Sequence, residues 1–260
     1  YWQLDAEQLE ALVNPRTRAI IPVDLYGHPV DMDAVLAVAQ RHGLHVVEDT
    51  AEAHGAIYKG RPCGSLGDIS CFSFYGNKVI TTGEGGMLLT DDEAWYERAR
   101  FLRDHAMSKT ERYFHPEIGY NYRLTNIQAA LGVAQLERLE TFVAAKRRNA
   151  QFYARGLAGI AGIVPAPEAP WASNVYWMYS ILVEPDYPLS RDALMAALKE
   201  RGVDSRPFFR AIHTMPSHPR DLHLPVAERL AATGINLPSS VKLTEEQIGY
   251  ICQQIRELAG

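Results

Sequence analysis

Residues 18–49, RAIIPVDLYGHPVDMDAVLAVAQRHGLHVVED, decide the fold. Two short apolar runs, 18–23 and 45–48, flank an amphipathic segment at 31–42. A nearly all-apolar run of that length reads as a buried strand, the kind found in parallel sheets. Between the runs, Met32, Val35, Leu36 and Ala39 recur at helical spacing, and Gly43 supplies a C-terminal stop. Tyr26, Gly27, His28 and Pro29 read as a loop. Strand, helix and strand within about thirty residues form a βαβ unit, whose crossover is right-handed. Ligands of open α/β sheets bind beyond the carboxyl ends of the strands, and Asp49 stands at such an end.

The same reading extends in both directions. Residues 5–13 have helical spacing, with Asp5 as N-cap and Gln8 completing a capping box. Further strands are expected at 69–74 and 86–90, and a helix at 95–103. A long amphipathic helix is expected over 125–142, carrying Ile127, Ala130, Leu131, Ala134, Leu136 and Leu139 and running on through Lys146, Arg147 and Arg148. Composition shifts at the Pro-rich stretch 160–172. Beyond it lie a β-rich run at 176–183, a helix at 191–201, a strand near Val203 and a Pro-punctuated loop over 207–225. A final helix is expected over 244–258, opened by the capping box Thr244–Gln247. The fold class is therefore α/β: residues 1–149 around a central, mainly parallel sheet, and residues 150–260 as a smaller C-terminal α+β domain.

Composition excludes several classes. The 260 residues are 47% hydrophobic and 22% charged, which is a globular balance and not that of a disordered chain or a coiled coil. A net charge of -5 gives no general attraction to nucleic acid or to an anionic membrane. No stretch reaches the length of a membrane span. Three scattered cysteines make no disulfide framework, and a reducing, cytoplasmic compartment is expected. Without a CxxC or CxxH pair, or an HExxH among the nine histidines, local spacing predicts no metal site.

The chemical signal concentrates in residues 46–92. Lys78 sits in a loop between two expected strands, after Gly76 and Asn77 and before the run Gly83-Glu84-Gly85-Gly86. Asp49 ends a strand 29 positions before it, and Ser73 lies five positions before it. These are the groups that pyridoxal phosphate chemistry needs. A lysine holds the aldehyde and shuttles a proton, a carboxylate keeps the pyridine nitrogen protonated, and hydroxyls with backbone N–H groups cradle the phosphate. Spacing alone leaves either Lys78 or Asp49 open to a solvated surface role. Two other motifs fail: Leu88 occupies the third glycine position of a GxGxxG, and Val79 replaces the Ser or Thr of a Walker A loop.

Longer strings carry a resemblance: EDTAEAHGAIYKGRPCGSLGDISCFSFYGNK from Glu48, GEGGMLLTDD from Gly83, RDHAMS from Arg103, HPEIGYNYRLTNIQAALGVAQLERLE from His115, RPFF from Arg206 and LPSS from Leu237. In this order they resemble the DegT/DnrJ/EryC1/StrS sugar aminotransferases over nearly the whole chain. The version GNK-x-x-TTGEGG most resembles the perosamine synthase-like branch, which acts on GDP-4-keto-6-deoxymannose. The resemblance implies a fold-type-I pyridoxal phosphate enzyme that takes an amino group from L-glutamate and gives it to a nucleotide-linked keto sugar.

Carried over by position, Lys78 matches the Schiff-base lysine, Asp49 the partner of the pyridine nitrogen and Ser73 a phosphate ligand. Glu52 matches a position beside the cofactor's ring oxygen, where an ionised carboxylate needs protonation or another partner. Asn121 matches a residue given to the phosphate of the neighbouring subunit, which implies a homodimer with shared sites. Arg206 is a candidate for the donor carboxylate, and His105 sits in a loop the family places near the site. Lysine at position 78, where dehydratase members carry histidine, favours transamination. The resemblance also implies a large domain that begins well before the residue matching Tyr1, so a longer reading frame, with a sheet incomplete at its N-terminal side, is expected.

Overall fold

The computed structural model describes residues 1–218 and 222–260. Residues 219–221, inside the loop expected over 207–225, lie outside the described residues. The chain divides into two compact units, one of residues 3–141 with 170–175, the other of residues 1–2, 142–169 and 176–260. The division at 141/142 falls ahead of the boundary at 150 expected from composition.

The first unit is built on a four-stranded sheet in the order β1 (Ala19–Ile20), β2 (His45–Asp49), β5 (Ile69–Ser73), β6 (Gly86–Leu89). The first three strands are parallel and β6 is antiparallel to β5. Strand β1 is shorter than the run 18–23, because Pro22 has no N–H to donate to a ladder; Val23 rejoins the pairing as a bridge to Asp49. It is an edge strand with Ile20 buried, and Ile21 just after it is exposed. The crossover helix α2 (Met32–His42) buries Met32, Val35, Val38 and Ala39. It ends at Gly43, whose φ of 61° is the left-handed conformation that favours glycine. A small antiparallel sheet joins β4 (Arg61–Pro62), β3 (Ile57–Tyr58) and β8 (Ala172–Ser173).

Three helices differ from expectation. Residues 5–13 form a 3-10 turn, Ala6–Gln8, followed by the short α1 (Leu9–Leu12). Asp5 does cap it, but Gln8 donates to the Asp5 carboxylate and not back to the backbone of the cap. Helix α3 (Glu93–Arg103) begins two residues early because Asp92 caps it through Trp95 N–H. The long helix expected over 125–142 is two helices, α4 (Asn126–Leu136) and α5 (Leu139–Leu157). At the junction the N–H groups of Glu137 and Arg138 both reach the Gln135 carbonyl, so the helical turn tightens and breaks. Helix α4 carries a full capping box at Thr125 and Gln128, but none of its residues is buried.

The second unit packs α5, α6 (Arg191–Glu200) and α8 (Glu245–Glu257) with an antiparallel sheet, order β10 (Arg206–Pro207), β11 (Gly234–Leu237), β9 (Tyr179–Val183), β7 (Ile163–Pro165). Its core gathers Tyr153, Leu157, Ile181, Leu194, Leu198, Ile235 and Ile255 among others, and Tyr153 stacks on Tyr179 at 4.6 Å. Helix α5 buries Lys146, Asn149, Ala150, Tyr153 and Leu157, which ties it to this unit from near its start. Strand β7 lies inside that stretch, tolerated there because Pro165 is on an edge. No strand forms at Val203. Its N–H closes back on Leu198 across Gly202, φ 76°, and its buried side chain is the apolar contact of a Schellman closure. Helix α7 (Pro225–Thr233) and β11 follow the Pro-punctuated loop and carry no cue that spacing exposed. The Thr244–Gln247 capping box is present. Among the described residues, no helix is long and apolar enough to cross a membrane.

Ile181 is fully buried in the centre of this sheet, whereas Leu12 is mostly exposed. Ile181→Ala is expected to cost roughly 2–5 kcal/mol through lost burial and a residual cavity. Leu12→Ala should stay within about 0.5 kcal/mol of the parent. Urea midpoints at constant m-value measure both.

Candidate active site

Strands β2 and β5 pair in parallel with Val47 opposite Ile69, Glu48 opposite Ser70 and Asp49 opposite Cys71. Both therefore end on the same edge, Asp49 closing β2 and Ser73 closing β5. The end of β2 is tied on two sides: Asp49 N–H donates to the Pro22 carbonyl at 2.9 Å, its own carbonyl accepts from Asp24 N–H at 3.0 Å, and Thr50 N–H donates to the Cys71 carbonyl at 3.0 Å. Ala51 N–H donates to Asp49 Oδ1 at 3.0 Å and orients the carboxylate. Cys71, half-buried beside Asp49, has its thiol pushed up to about 11 by burial and by that carboxylate.

The lysine loop joins β5 to β6 and is closed by its own groups. Phe74 N–H donates to Gly85, Thr82 N–H and Thr81 Oγ1 donate to Phe74, and Lys78 N–H donates to Tyr75. Gly85 has φ 146°, and a Cβ there would stand 2.7 Å from Thr82 Oγ1 and 2.8 Å from Leu124, so the loop needs glycine. Tyr75 N–H donates to Ser73 Oγ at 3.3 Å.

Lys78 and Glu52 meet at the strand ends. Lys78 Nζ donates to Glu52 Oε1 at 3.4 Å, and the two side chains are only 11% and 10% exposed. The other oxygen, Oε2, accepts from Tyr26 N–H at 2.7 Å. Tyr26 is a buried residue at φ 56°, a conformation that few non-glycine residues adopt, and in it the N–H serves Glu52. Burial raises the Glu52 carboxyl above its ordinary range, while Tyr26 N–H and Lys78 pull it back. Both conditions posed for a carboxylate beside a phenolate are thus present, a partner and a raised pKa.

His54 is a site residue that spacing did not reveal. Its ring lies between Phe72 and Phe74, with centroids 5.4 and 5.9 Å away. It is 2% exposed, and neither ring nitrogen makes a hydrogen bond. Burial, then the charge of Lys78, lower its pKa to about 4, with the Ser73 backbone working the other way. His54 is neutral at pH 7.

Asn121 and His105 lie together on the segment after α3. Asn121 bridges Asp104 in antiparallel fashion and is exposed. His105 has φ 61°, and its N–H donates to the Tyr120 carbonyl at 2.8 Å. Tyr120 and Tyr122 stack at 5.2 Å on the exposed side of this segment. Arg206 belongs to the second unit, where it opens β10 opposite Asn236 and is exposed; Trp177 is buried in that unit. The strand-end group of a shielded lysine, an oriented carboxylate, a hydroxyl and a glycine loop fits pyridoxal phosphate in donor chemistry: amine for aldehyde, carboxylate for pyridinium, hydroxyl and N–H for phosphate.

His54 generates a pH prediction. The unfolded chain binds its proton near 6.5 and the folded chain only near 4. Stability from this residue is therefore full above 6.5 and is lost as pH falls toward 4, by about 3 kcal/mol. His54→Phe should remove that part of the acid loss. Denaturation of both proteins at pH 7 and pH 4.5 measures it, and equal losses would contradict the assignment.

The DegT/DnrJ/EryC1/StrS aminotransferase family model matches residues 1–256. The chain is 46% identical to a GDP-perosamine synthase of Caulobacter vibrioides over 96% of its length and 68% of that protein's. It is 42% identical to a GDP-perosamine synthase of Escherichia coli O157:H7, covering 98% of the chain and 70% of the relative. Among solved structures, DesV of S. venezuelae, crystallised with a ketimine intermediate, superimposes with a TM-score of 0.90 at 37% identity, covering 99% of this chain and 69% of that one. The protein Spr1654 of Streptococcus pneumoniae, solved in its PLP form, gives 0.91 at 26% identity, covering 100% and 72%. With its lysine, carboxylate and glycine loop in one strand-end group, the chain belongs to the DegT/DnrJ/EryC1/StrS aminotransferase family of pyridoxal phosphate enzymes.

Proposed function

We propose that this chain moves an amino group from L-glutamate to C4 of a nucleotide-linked 4-keto-6-deoxy sugar, as a GDP-perosamine synthase-like enzyme. The observation that carries the reading is Lys78, shielded and paired with Glu52 at the end of the strand pair that bears Asp49 and Ser73. Similarity to two GDP-perosamine synthases supports the choice of sugar. Lysine in place of histidine at position 78 supports amination over dehydration.

Pyridoxal phosphate supplies an aldehyde for the incoming amine and a protonated ring that takes up the electrons of a broken Cα–H bond. The chain's own residues do the rest. Lys78 Nζ would hold the cofactor's aldehyde carbon, and its amine would serve as the base that moves the donor's proton. Glu52 keeps that amine oriented in a dry site. Asp49 holds the ring nitrogen protonated, and Ala51 N–H fixes its direction. Ser73 and the N–H groups of the glycine loop take the phosphate. In this reading Arg206 receives the donor carboxylate and His105 faces the sugar.

The reading includes a cytoplasmic homodimer in which Asn121 completes the partner's phosphate site. Exposed apolar side chains on α4, Ile127, Leu131, Val133 and Leu136, support such a contact, as does the exposed Tyr120–Tyr122 stack. Three free cysteines are consistent with a reducing compartment.

Two tests follow from these roles. Lys78→Ala and Lys78→Arg should lower turnover of glutamate and the keto sugar by roughly a thousandfold or more and abolish the visible cofactor band. Retained turnover in Lys78→Ala would sink the assignment. Lys78→Ala and Asn121→Asp proteins, each inactive alone, should regain about a quarter of parental activity when mixed and allowed to exchange subunits, because half the dimers then hold one intact site. No recovery despite exchange, seen by mass spectrometry, rules out shared sites.

A further inference from the structure

We propose that Asp24, Glu48 and Cys63 form a binding site for one divalent cation of the zinc class in the interior of the first unit. One ligand atom from each lies within 4.8 Å of the other two, and this is the one such group among the described residues. The three are 1%, 0% and 6% exposed. They come from three places in the chain: Asp24 from the turn after β1, Glu48 from the centre of the β-sheet on β2, and Cys63 from the residue after β4. Local spacing pointed away from a metal because none of these residues is near another in sequence.

The independent observation is at Asp24. Its Oδ1 accepts from Val30 N–H at 2.9 Å, but its Oδ2 is buried without a hydrogen-bond partner. An orphaned carboxylate oxygen in the interior is costly, and here it stands beside a second buried carboxylate. Glu48 is held by Gly64 N–H at 2.7 Å, Leu66 N–H at 2.9 Å and Gly67 N–H at 3.2 Å. Among the described residues no lysine, arginine or histidine forms an ion pair with either carboxylate. Two buried carboxylates without a cation repel each other and lose their hydration, and a divalent ion cancels both charges.

Donor type selects the ion. Magnesium and calcium take oxygen-only shells, whereas a thiol with two carboxylates suits zinc or cadmium. Bonds of about 2.0–2.3 Å around a tetrahedral ion hold its ligand atoms roughly 3.3–4 Å apart. Three ligand atoms that all lie within 4.8 Å of one another can close on such an ion with small side-chain shifts. The three N–H groups on Glu48 act as outer partners that orient a ligand. Glu48 immediately precedes Asp49, and Asp24 N–H donates to the Asp49 carbonyl, so an ion here would brace the strand end that presents Asp49.

The test uses the full chain with its cofactor bound. After incubation with zinc and gel filtration, elemental analysis should find one equivalent per chain. Cadmium should saturate at one equivalent with a thiolate-to-metal charge-transfer band in the ultraviolet, unaffected by excess magnesium. Cys63→Ser and Asp24→Asn should lose both signals. A Cys71→Ala/Cys252→Ala protein, with Cys63 as its only thiol, should keep them, and it decides the matter if Cys63→Ser does not fold. Absence of retained zinc and of the band, as a shared proton between the carboxyls would give, overturns the proposal. So does a band that survives Cys63→Ser.

Discussion

The parallel register of β2 and β5 is the constraint on which the rest of this structure depends. With Asp49 opposite Cys71, both strands end at one edge, and Asp49, Glu52, Ser73 and Lys78 are placed by what ends at or leaves that edge. The turn after β2 carries Glu52 and His54, Ser73 ends β5, and the loop after β5 carries Lys78. A slip of one residue would turn Asp49 to the opposite face and part the lysine from its carboxylate. Main-chain bonds from Pro22, Asp24 and Cys71 to the Asp49–Thr50 backbone guard against such a slip.

Burial is distributed unevenly between the two units. The second unit closes a core of tyrosine, leucine and isoleucine around β9 and β11, both buried at every position. In the first unit the apolar content goes into α2 and β2, while β6, α3 and α4 have no buried residue. Polar groups occupy its interior instead: Asp24, Glu48, Thr50, Glu52 and His54 are all buried. Interiors of that kind are held by specific hydrogen bonds, and where one is missing the group is under electrostatic pressure. The lone oxygen of Asp24 and the unbonded ring of His54 are places where that pressure is visible.

Much of the architecture was legible in local patterning. The βαβ unit, the hairpin strands β5 and β6, helix α6 and the Thr244 capping box all follow from periodicity and caps, which act over a few residues. Lys78, Asp49 and Ser73 were legible as residue types at strand ends. What patterning missed has a common cause. Strand β7 hides in a Pro-rich stretch because an edge position forgives proline. Val203 looked like a strand because a buried apolar residue after a helix serves a Schellman closure equally well. Helix α4 shows a hydrophobic stripe in sequence, yet this structure leaves that stripe exposed.

By itself, the sequence determined the order of elements, the strand-end placement of the lysine and the carboxylate, and the family, because each rests on short-range spacing or on long matching strings. Only the tertiary structure decided which side chains meet. It brought Lys78 to Glu52 across 26 positions, turned Tyr26 N–H toward the same carboxylate, shut His54 between two phenylalanines, and gathered Asp24, Glu48 and Cys63 in one buried group. The reason is that hydrogen-bond reach and desolvation are properties of three-dimensional neighbours, and residues far apart in the chain carry no periodic sign that they will become neighbours.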